Sequence, residues 1–336
     1  MVKILHIANR RSQIDPDGLL AASVRELGEL TLVEQGRERS DAEVAALMRD
    51  ADVVVTNWAS RPIPEAVAGE PGRLRYVLCL GGTCKATVPL ALIRAGIPVT
   101  NWGDQPAQSV AEGAMSLFLA VLKDLRPRIE GLLAGRGAES RKLGLPSGTV
   151  NGLKLGLYGC GAIGRRFVEM VRPFRPSISI FDPYANELPE GCIRVPTLAR
   201  LFEQSEAIVV WAGLSEQTRR SVTAELLAKL PDHGVIVNAA RGEIIDQDAL
   251  FDEIRSGRLR AGLDVLVGDN YLPEGHEAHT WPNLLITSHD ISKAHWPVRP
   301  PSLGYADHIV IDNLRRFISG EPLKFIMDEE RYMRSS

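Results

Sequence analysis

Long apolar runs are missing from this 336-residue chain. Its most apolar stretch, Ala114–Leu122, falls well short of the ~20 residues that a membrane-spanning helix needs, so no membrane association is expected. The N-terminus, Met1-Val2-Lys3-Ile4-Leu5-His6-Ile7-Ala8, lacks the apolar length and small-residue cleavage site of a signal peptide. Cysteine is scarce. Cys79, Cys84, Cys160 and Cys192 make no disulfide framework in a chain of this length, and no Cys-x-x-Cys or Cys/His cluster has zinc-ligand spacing. Charge of one sign is also lacking: 39 Lys and Arg against 42 Asp and Glu leave a net charge of −3, which implies no broad nucleic-acid face. A soluble, cytoplasmic, metal-free protein without a nucleic-acid partner is expected.

The chain has 45% hydrophobic and 24% charged residues, the balance of an ordinary globular protein that buries its own core. Its length suggests about two domains. Strand and helix patterns alternate nearly end to end. In the first half strands are expected at Val2–Ile7, Leu30–Val33, Ala51–Thr56, Leu74–Leu80 and Pro98–Thr100. Helices are expected at Asp17–Leu27, Asp41–Arg49 and Val88–Ala95. Near-continuous Val/Ile/Leu runs between helices mark a parallel sheet covered on both faces. Ala107–Leu125 is a helix apolar nearly all round, which must be buried on several sides, between domains or between subunits. Arg126–Gly152 turns polar and glycine-rich and reads as loop or irregular helix. A second alternating series begins at Leu153 and includes strands Leu153–Tyr158, Ile178–Phe181, Ala207–Trp211, Val235–Asn238, Ala261–Val265 and Leu284–Ile286. A helical pattern over Gly304–Phe317 closes the chain and is expected to cross back to the first domain.

Gly159-Cys160-Gly161-Ala162-Ile163-Gly164 follows the strand Leu153–Tyr158 and opens a helix, and Asp182 ends the next strand, 18 residues past Gly164. Each part has a physical reason. Gly159 permits the tight turn, Gly161 lets backbone approach a pyrophosphate, and Gly164 lets helix and strand pack closely. The free amides of Ala162, Ile163 and Gly164 at the helix N-terminus face the phosphates. Asp182 can accept hydrogen bonds from both ribose hydroxyls of NAD and repels the 2′-phosphate of NADP, so NAD is the expected cofactor. Arg241, Asp264 and His289 each follow a strand, and in an open α/β sheet such strand ends line the ligand crevice. Taken singly, each also fits a structural role: a salt bridge, a cap, a polar surface residue.

Together these segments resemble the D-2-hydroxyacid dehydrogenase family, the relatives of phosphoglycerate, glycerate and D-lactate dehydrogenases. The resemblance rests on Ala95–Asn101 and Ser109–Glu112, on Asn-Ala-Ala-Arg-Gly-Glu-Ile-Ile-Asp-Gln-Asp-Ala-Leu (238–250), on Leu-Asp-Val (263–265) and on Pro-Asn-Leu-Leu-Ile-Thr-Ser-His (282–289), in the family's order. It implies two doubly wound α/β domains with a cleft between them: a flavodoxin-like substrate domain over 1–103 and 297–336, and a Rossmann NAD-binding domain over 104–296. It also implies a homodimer through the Ala107–Leu125 helix. The implied activity is NAD(H)-dependent interconversion of a 2-oxo acid and a D-2-hydroxy acid. His289 is then the acid/base at the carbonyl oxygen, a role suited to an imidazole. Arg241 holds the substrate carboxylate, and Asp264 holds the nicotinamide carboxamide, with Ala240 also on the cofactor side. The same scaffold acting on formate or phosphite, or a non-catalytic NAD(H)-responsive binding protein, are the alternatives.

The chain departs from the family pattern in places. Where the family has a glutamate to hold the histidine, this sequence has Asp269, shorter by one methylene, roughly 1.5 Å. Trp211 is a candidate aromatic wall for the cofactor, with core packing an equal reading. Gly81-Gly82-Thr83-Cys84-Lys85-Ala86-Thr87 replaces the family's substrate loop. Gly82 and Thr83 still offer backbone amides to a carboxylate. Lys85 and Arg61, with Trp58 nearby, are candidates to hold a second anionic group on the substrate.

Overall fold

The computed structural model describes residues 1–12, 14–137, 144–268, 271–292 and 303–334. The chain divides into two compact units, Met1–Pro106 with His295–Ser336, and Ala107–Ala294. Asp269, expected to hold the histidine, lies outside the described residues.

The first unit runs β1 (Val2–Ile7), α1 (Leu19–Arg25), β2 (Gly28–Val33), α2 (Asp41–Arg49), β3 (Val53–Thr56), α3 (Ala66–Gly69), β4 (Tyr76–Cys79), α4 (Leu90–Arg94) and β5 (Val99–Thr100). Its sheet has the order β2-β1-β3-β4-β5 with every pair parallel, the flavodoxin-like arrangement. The reason lies in β3 and β4, whose Val-Val-Val-Thr and Tyr-Val-Leu-Cys are buried at every position. Strands without a polar face need helices on both sides, and parallel crossovers supply them. Ser40 opens α2 with a capping box: its Oγ accepts from the Glu43 amide at 3.3 Å and Glu43 Oε2 accepts from the Ser40 amide at 2.8 Å.

In the second unit α5 (Ala107–Leu122) and α6 (Leu125–Leu133) precede β6 (Lys154–Tyr158), α7 (Ala162–Val171), β7 (Ser177–Phe181), β8 (Ile193–Arg194), α8 (Leu198–Glu203), β9 (Ala207–Val210), α9 (Ala224–Leu227), β10 (Gly234–Asn238), α10 (Gln247–Arg255), β11 (Leu259–Leu263) and β12 (Leu284–Ile286). The order is β12-β11-β10-β9-β6-β7-β8, all parallel. The chain starts in mid-sheet at β6, travels out to β8, then returns to β9 and travels the other way. Strand order therefore reverses between β6 and β9, and ligands of open α/β sheets bind at such a reversal, outside the carboxyl ends.

The rest of the chain belongs to the first unit: α11 (Tyr305–Ser319) and α12 (Glu329–Arg334). Val310 and Leu314 of α11 share a core with Ala21 and Val24 of α1. Next to α4, the Tyr332 hydroxyl donates to the Val88 carbonyl at 2.8 Å, and Glu329 pairs with Arg94 at 2.5 Å.

Three local differences from the sequence pattern have physical causes. Residues 125–133 form a helix where loop or irregular helix was expected. The polar sequence hides its periodicity, but Arg126 pairs with Glu130 at 2.7 Å and donates to the Leu284 carbonyl at 2.8 Å, so charged side chains dock it. Asp124, at φ +49, breaks the path between α5 and α6, and its buried carboxylate meets the buried Arg260 guanidinium at 3.2 Å. Most apolar positions of α5 are buried inside its own unit, while Val110, Leu119 and Ala120 are half-buried. Ala111, Leu117, Phe118 and Val121 share a core with Leu155, Phe167 and Val237, and Gly262 lets the helix lie close, since a Cβ there would sit 3.2 Å from Leu117 and Val121. The two-residue β8 is exposed and escaped the pattern. No helix among the described residues is long and apolar enough to cross a membrane.

Candidate active site

Because all seven strands are parallel, the segments that follow them lie along one edge of the sheet. In spatial order that edge carries His289 after β12, Asp264 after β11, Arg241 after β10, Trp211 after β9, the glycine turn after β6 and Asp182 after β7. With strands ~4.8 Å apart, the row from His289 to Asp182 extends about 24 Å.

The glycine turn is built as its residue types require. Gly159 has φ +94, and a Cβ on it would lie 2.7 Å from the Ala212 nitrogen and 2.8 Å from the Trp211 carbonyl carbon. A Cβ on Gly164 would lie 3.0 Å from the Gly159 oxygen. Gly161, which caps α7, has nothing within 4 Å of its Cβ position. The turn is thus closed on its inner side and open at Gly161, where the first amides of α7 have no carbonyl one turn behind them. That shape fits a dinucleotide pyrophosphate. Asp182 Oδ2 accepts from the Cys160 amide at 2.7 Å, while its Oδ1 accepts from the amides of Tyr184 and Ala185 at 2.8 and 3.0 Å. The carboxylate therefore braces the glycine turn as well as marking the end of β7. Trp211 lies on the core side: its ring is 5.5 Å from that of Phe167 and within 3.4 Å of the Cβ position of Gly164.

After β10, buried Asn238 shapes the turn that presents Arg241. Its Oδ1 accepts from the Ala240 amide at 3.0 Å and its Nδ2 donates to the Arg241 carbonyl at 2.9 Å. Gly242 must follow, because a Cβ there would lie 2.2 Å from the carbonyl carbon of Leu266. The Arg241 guanidinium donates to the Ala240 carbonyl at 2.6 Å, and burial pulls its pKa down, opposed by Glu243. A partly desolvated cation of this kind attracts a carboxylate more strongly than one in water.

Asp264 is 3% exposed. Its Oδ1 accepts from Thr287 Oγ1 at 2.5 Å and from the amides of Asp290 and Ile291 at 3.2 and 3.3 Å, and its carbonyl accepts from the His289 amide at 2.7 Å. It thereby ties the loop after β12 to the end of β11. That loop holds His289 at φ +55, a left-handed conformation that costs a non-glycine residue about 1–3 kcal/mol and concentrates at functional sites. Partial burial lowers the His289 pKa below its ordinary 6.5; the positive charge of Arg241 lowers it further, while Asp264 and Asp290 oppose. Arg241 and His289 therefore share one electrostatic environment. Asp290 and Asn238 were not singled out in the sequence; Asp290 is signalled there only by its adjacency to His289.

In the first unit the segments after β3, β4 and β5 gather Trp58, Gly82 and Thr83. Asn101, not expected as a site residue, donates from Nδ2 to the Gly82 carbonyl at 2.6 Å. The two candidate cations have these partners. Lys85 Nζ donates to the Met333 carbonyl at 2.9 Å, and Arg61 pairs with Asp41 of α2 at 2.5 Å.

Comparison with known proteins bears on the whole row. The family model described as D-isomer specific 2-hydroxyacid dehydrogenase, NAD binding domain, matches residues 115–290. The D-3-phosphoglycerate dehydrogenase of Methanocaldococcus jannaschii is 27% identical over 309 residues, which are 91% of this chain and 57% of that protein, so the chain spans little more than half of that relative. The hydroxypyruvate reductase of Blautia hydrogenotrophica is 27% identical over 324 residues, covering 93% of this chain and 96% of that protein. Among solved structures, the NADPH-dependent glyoxylate/hydroxypyruvate reductase of Sinorhizobium meliloti has a TM-score of 0.77 at 25% identity and covers 100% of both chains. A family match that takes in more than half of the sequence, and every strand end from the glycine turn to His289, leads to one conclusion: the chain belongs to the D-isomer specific 2-hydroxyacid dehydrogenase family of NAD(P)-linked oxidoreductases.

Proposed function

We propose that this protein interconverts a 2-oxo acid and a D-2-hydroxy acid with NAD(H) as cofactor. The observation that carries the proposal is the placing of Arg241 and His289 along one edge of the same parallel sheet, on strand ends two apart and both partly buried. A fixed cation beside a titratable ring suits a substrate with a carboxylate next to a carbonyl. Arg241 holds the carboxylate by paired hydrogen bonds. His289 gives a proton to the carbonyl oxygen in reduction and removes it from the hydroxyl in oxidation. Asp264 positions His289 through the 287–291 backbone.

The dinucleotide would rest on the amides of Ala162, Ile163 and Gly164, with Asp182 on the adenosine ribose. When bound, it supplies or accepts the hydride. The Asp182 carboxylate favours NAD over NADP, because a 2′-phosphate would face a like charge. Ala240, beside Arg241, is on the cofactor side, and Trp211 supports the turn from behind. In the first unit Gly82 and Thr83 are the substrate-loop residues. Lys85 and Arg61 are proposed for a second anionic group on the substrate, with Trp58 beside them; in this structure Lys85 Nζ meets the Met333 carbonyl and Arg61 meets Asp41. A homodimer is included on the strength of the family resemblance.

NADH oxidation against a panel of 2-oxo acids tests the reading, with His289→Ala and Arg241→Gln alongside. Turnover in the wild type, lowered roughly 10²–10⁴-fold by His289→Ala, is the expected result. Binding of NADH without turnover, or turnover of formate or phosphite alone, would overturn it.

A further inference from the structure

We infer that Arg194 is a positioning residue for the cofactor: its guanidinium holds the loop after β7, residues 182–187, in the shape that receives the adenosine half of the dinucleotide. The role rests on the dinucleotide site proposed above and names the residue on which its ribose end depends. All the groups concerned lie in the second unit.

Asp182 marks the place. Its Oδ1 turns the chain by accepting from the amides of Tyr184 and Ala185, and its Oδ2 reaches back to the Cys160 amide of the glycine turn. The carbonyls of the same turn need donors of their own, and Arg194 supplies them. Its Nη1 donates to the Asp182 carbonyl at 3.0 Å, and its Nη2 donates to the carbonyls of Ala185 at 2.7 Å and Asn186 at 3.3 Å. One planar fork spans all these acceptors, a geometry that a guanidinium has and an ammonium lacks. Among the described residues Arg194 has no carboxylate partner, so these carbonyls are what it serves. The strand that carries it is placed for this. β8 pairs with β7 at Ser179–Ile193 and Ile180–Arg194, which brings Arg194 alongside the end of β7. Both residues of β8 are exposed, so its hold on the loop is polar rather than apolar. The far end of the loop is gripped in the same manner: Arg165 of α7 donates to the Glu187 carbonyl, and Arg172, just past α7, to the Glu190 carbonyl at 2.8 Å, while Leu188 packs against the core. Of these arginines, Arg194 is the one that grips the residues next to the Asp182 carboxylate. A loop already held in its binding shape pays little ordering cost when the cofactor arrives. Exposed polar contacts add little to global stability, so the effect of Arg194 falls on cofactor affinity rather than on folding.

Calorimetry of ADP-ribose and NADH binding to the wild type, Arg194→Met and Arg194→Lys is the test, with kinetics on the best 2-oxo acid of the panel beside it. Arg194→Met is expected to weaken both ligands about tenfold and to raise the KM for NADH by the same factor, while kcat, the KM for the 2-oxo acid and the thermal midpoint hold. Arg194→Lys keeps the charge without the fork and should recover only part of the loss. Unchanged affinity in Arg194→Met, full recovery in Arg194→Lys, or a KM for the 2-oxo acid that rises as much as that for NADH overturns the inference and leaves the proposed activity standing. A thermal midpoint that falls sharply in both variants marks a structural role and overturns it too. A wild type that binds neither ADP-ribose nor NADH overturns the dinucleotide site, and the inference with it. A wild type that binds both but turns over no 2-oxo acid overturns the proposed activity alone, and the ADP-ribose affinities then decide the role of Arg194.

Discussion

Asp264 offers the sharpest test of how the site is assembled, because its carboxylate and its carbonyl both secure the loop that carries His289. One oxygen, Oδ1, accepts a short bond from Thr287 Oγ1 at 2.5 Å and longer ones from the amides of Asp290 and Ile291 at 3.2 and 3.3 Å. Asp264→Ala leaves all three donors without that acceptor. Each buried unsatisfied donor costs about 1–3 kcal/mol, but the Thr287 hydroxyl can rotate and residues 290 and 291 are only half-buried, so water recovers part. A loss of about 3 kcal/mol follows. Asp264→Asn keeps an acceptor oxygen and gives up only the charge assistance, for a loss of about 1 kcal/mol. Urea denaturation of the three proteins measures both. NMR titration of His289 supplies an independent readout: the Asp264 charge raises the His289 pKa, so both variants should move it further down. If Asp264→Asn were as destabilising as Asp264→Ala, or if His289 titrated unchanged in both, the account of Asp264 would be wrong.

Other consequences can be checked directly. Gly159→Ala forces a Cβ against backbone at φ +94 and should destabilise the protein by about 3 kcal/mol; Gly161→Ala meets open space, so it should keep wild-type stability in thermal melts yet weaken NADH binding at least about tenfold. His289 titrates below its ordinary value, so the protonated ring is already the minor form at neutral pH. The kcat/KM for reduction should therefore fall as pH rises through that lowered pKa, whereas oxidation, which uses the neutral ring, should hold at neutral pH and fail only on acidification. Arg241→Gln removes one cause of the lowering and should shift both limbs of the pH–rate profile to higher pH; a reduction limb above the ordinary histidine range in the wild type would refute this. Asp182→Asn should narrow the preference for NADH over NADPH in kcat/KM, and a wild type that prefers NADPH would overturn the role given to Asp182.

Much of the fold was legible because its local rules agree. The fully apolar Val-Val-Val and Ala-Ile-Val-Val runs at β3 and β9 have no polar face, so they specify a buried parallel sheet. The glycines at 159 and 164 each answer a steric demand that the structure shows, whereas the Cβ position of Gly161 faces open space. Arg241 and His289 stood at strand ends, where parallel topology turns sequence position into spatial neighbourhood. The helix at 125–133 was hidden because its stability comes from Arg126 reaching the Leu284 carbonyl, a partner 158 residues away. The exposed β8 and the roles of Asn101 and Asn238 are tertiary for the same reason.

Residue type and spacing by themselves determined the layered α/β architecture and the dinucleotide turn, because periodicity and glycine sterics act over a few residues. Which strand ends become neighbours, that Asp264 secures the His289 loop, that Lys85 and Arg61 meet Met333 and Asp41, and that Trp58 meets Trp102 were decided only in the folded units. Those outcomes depend on the directions taken by side chains from loops distant in sequence, and packing alone sets such directions.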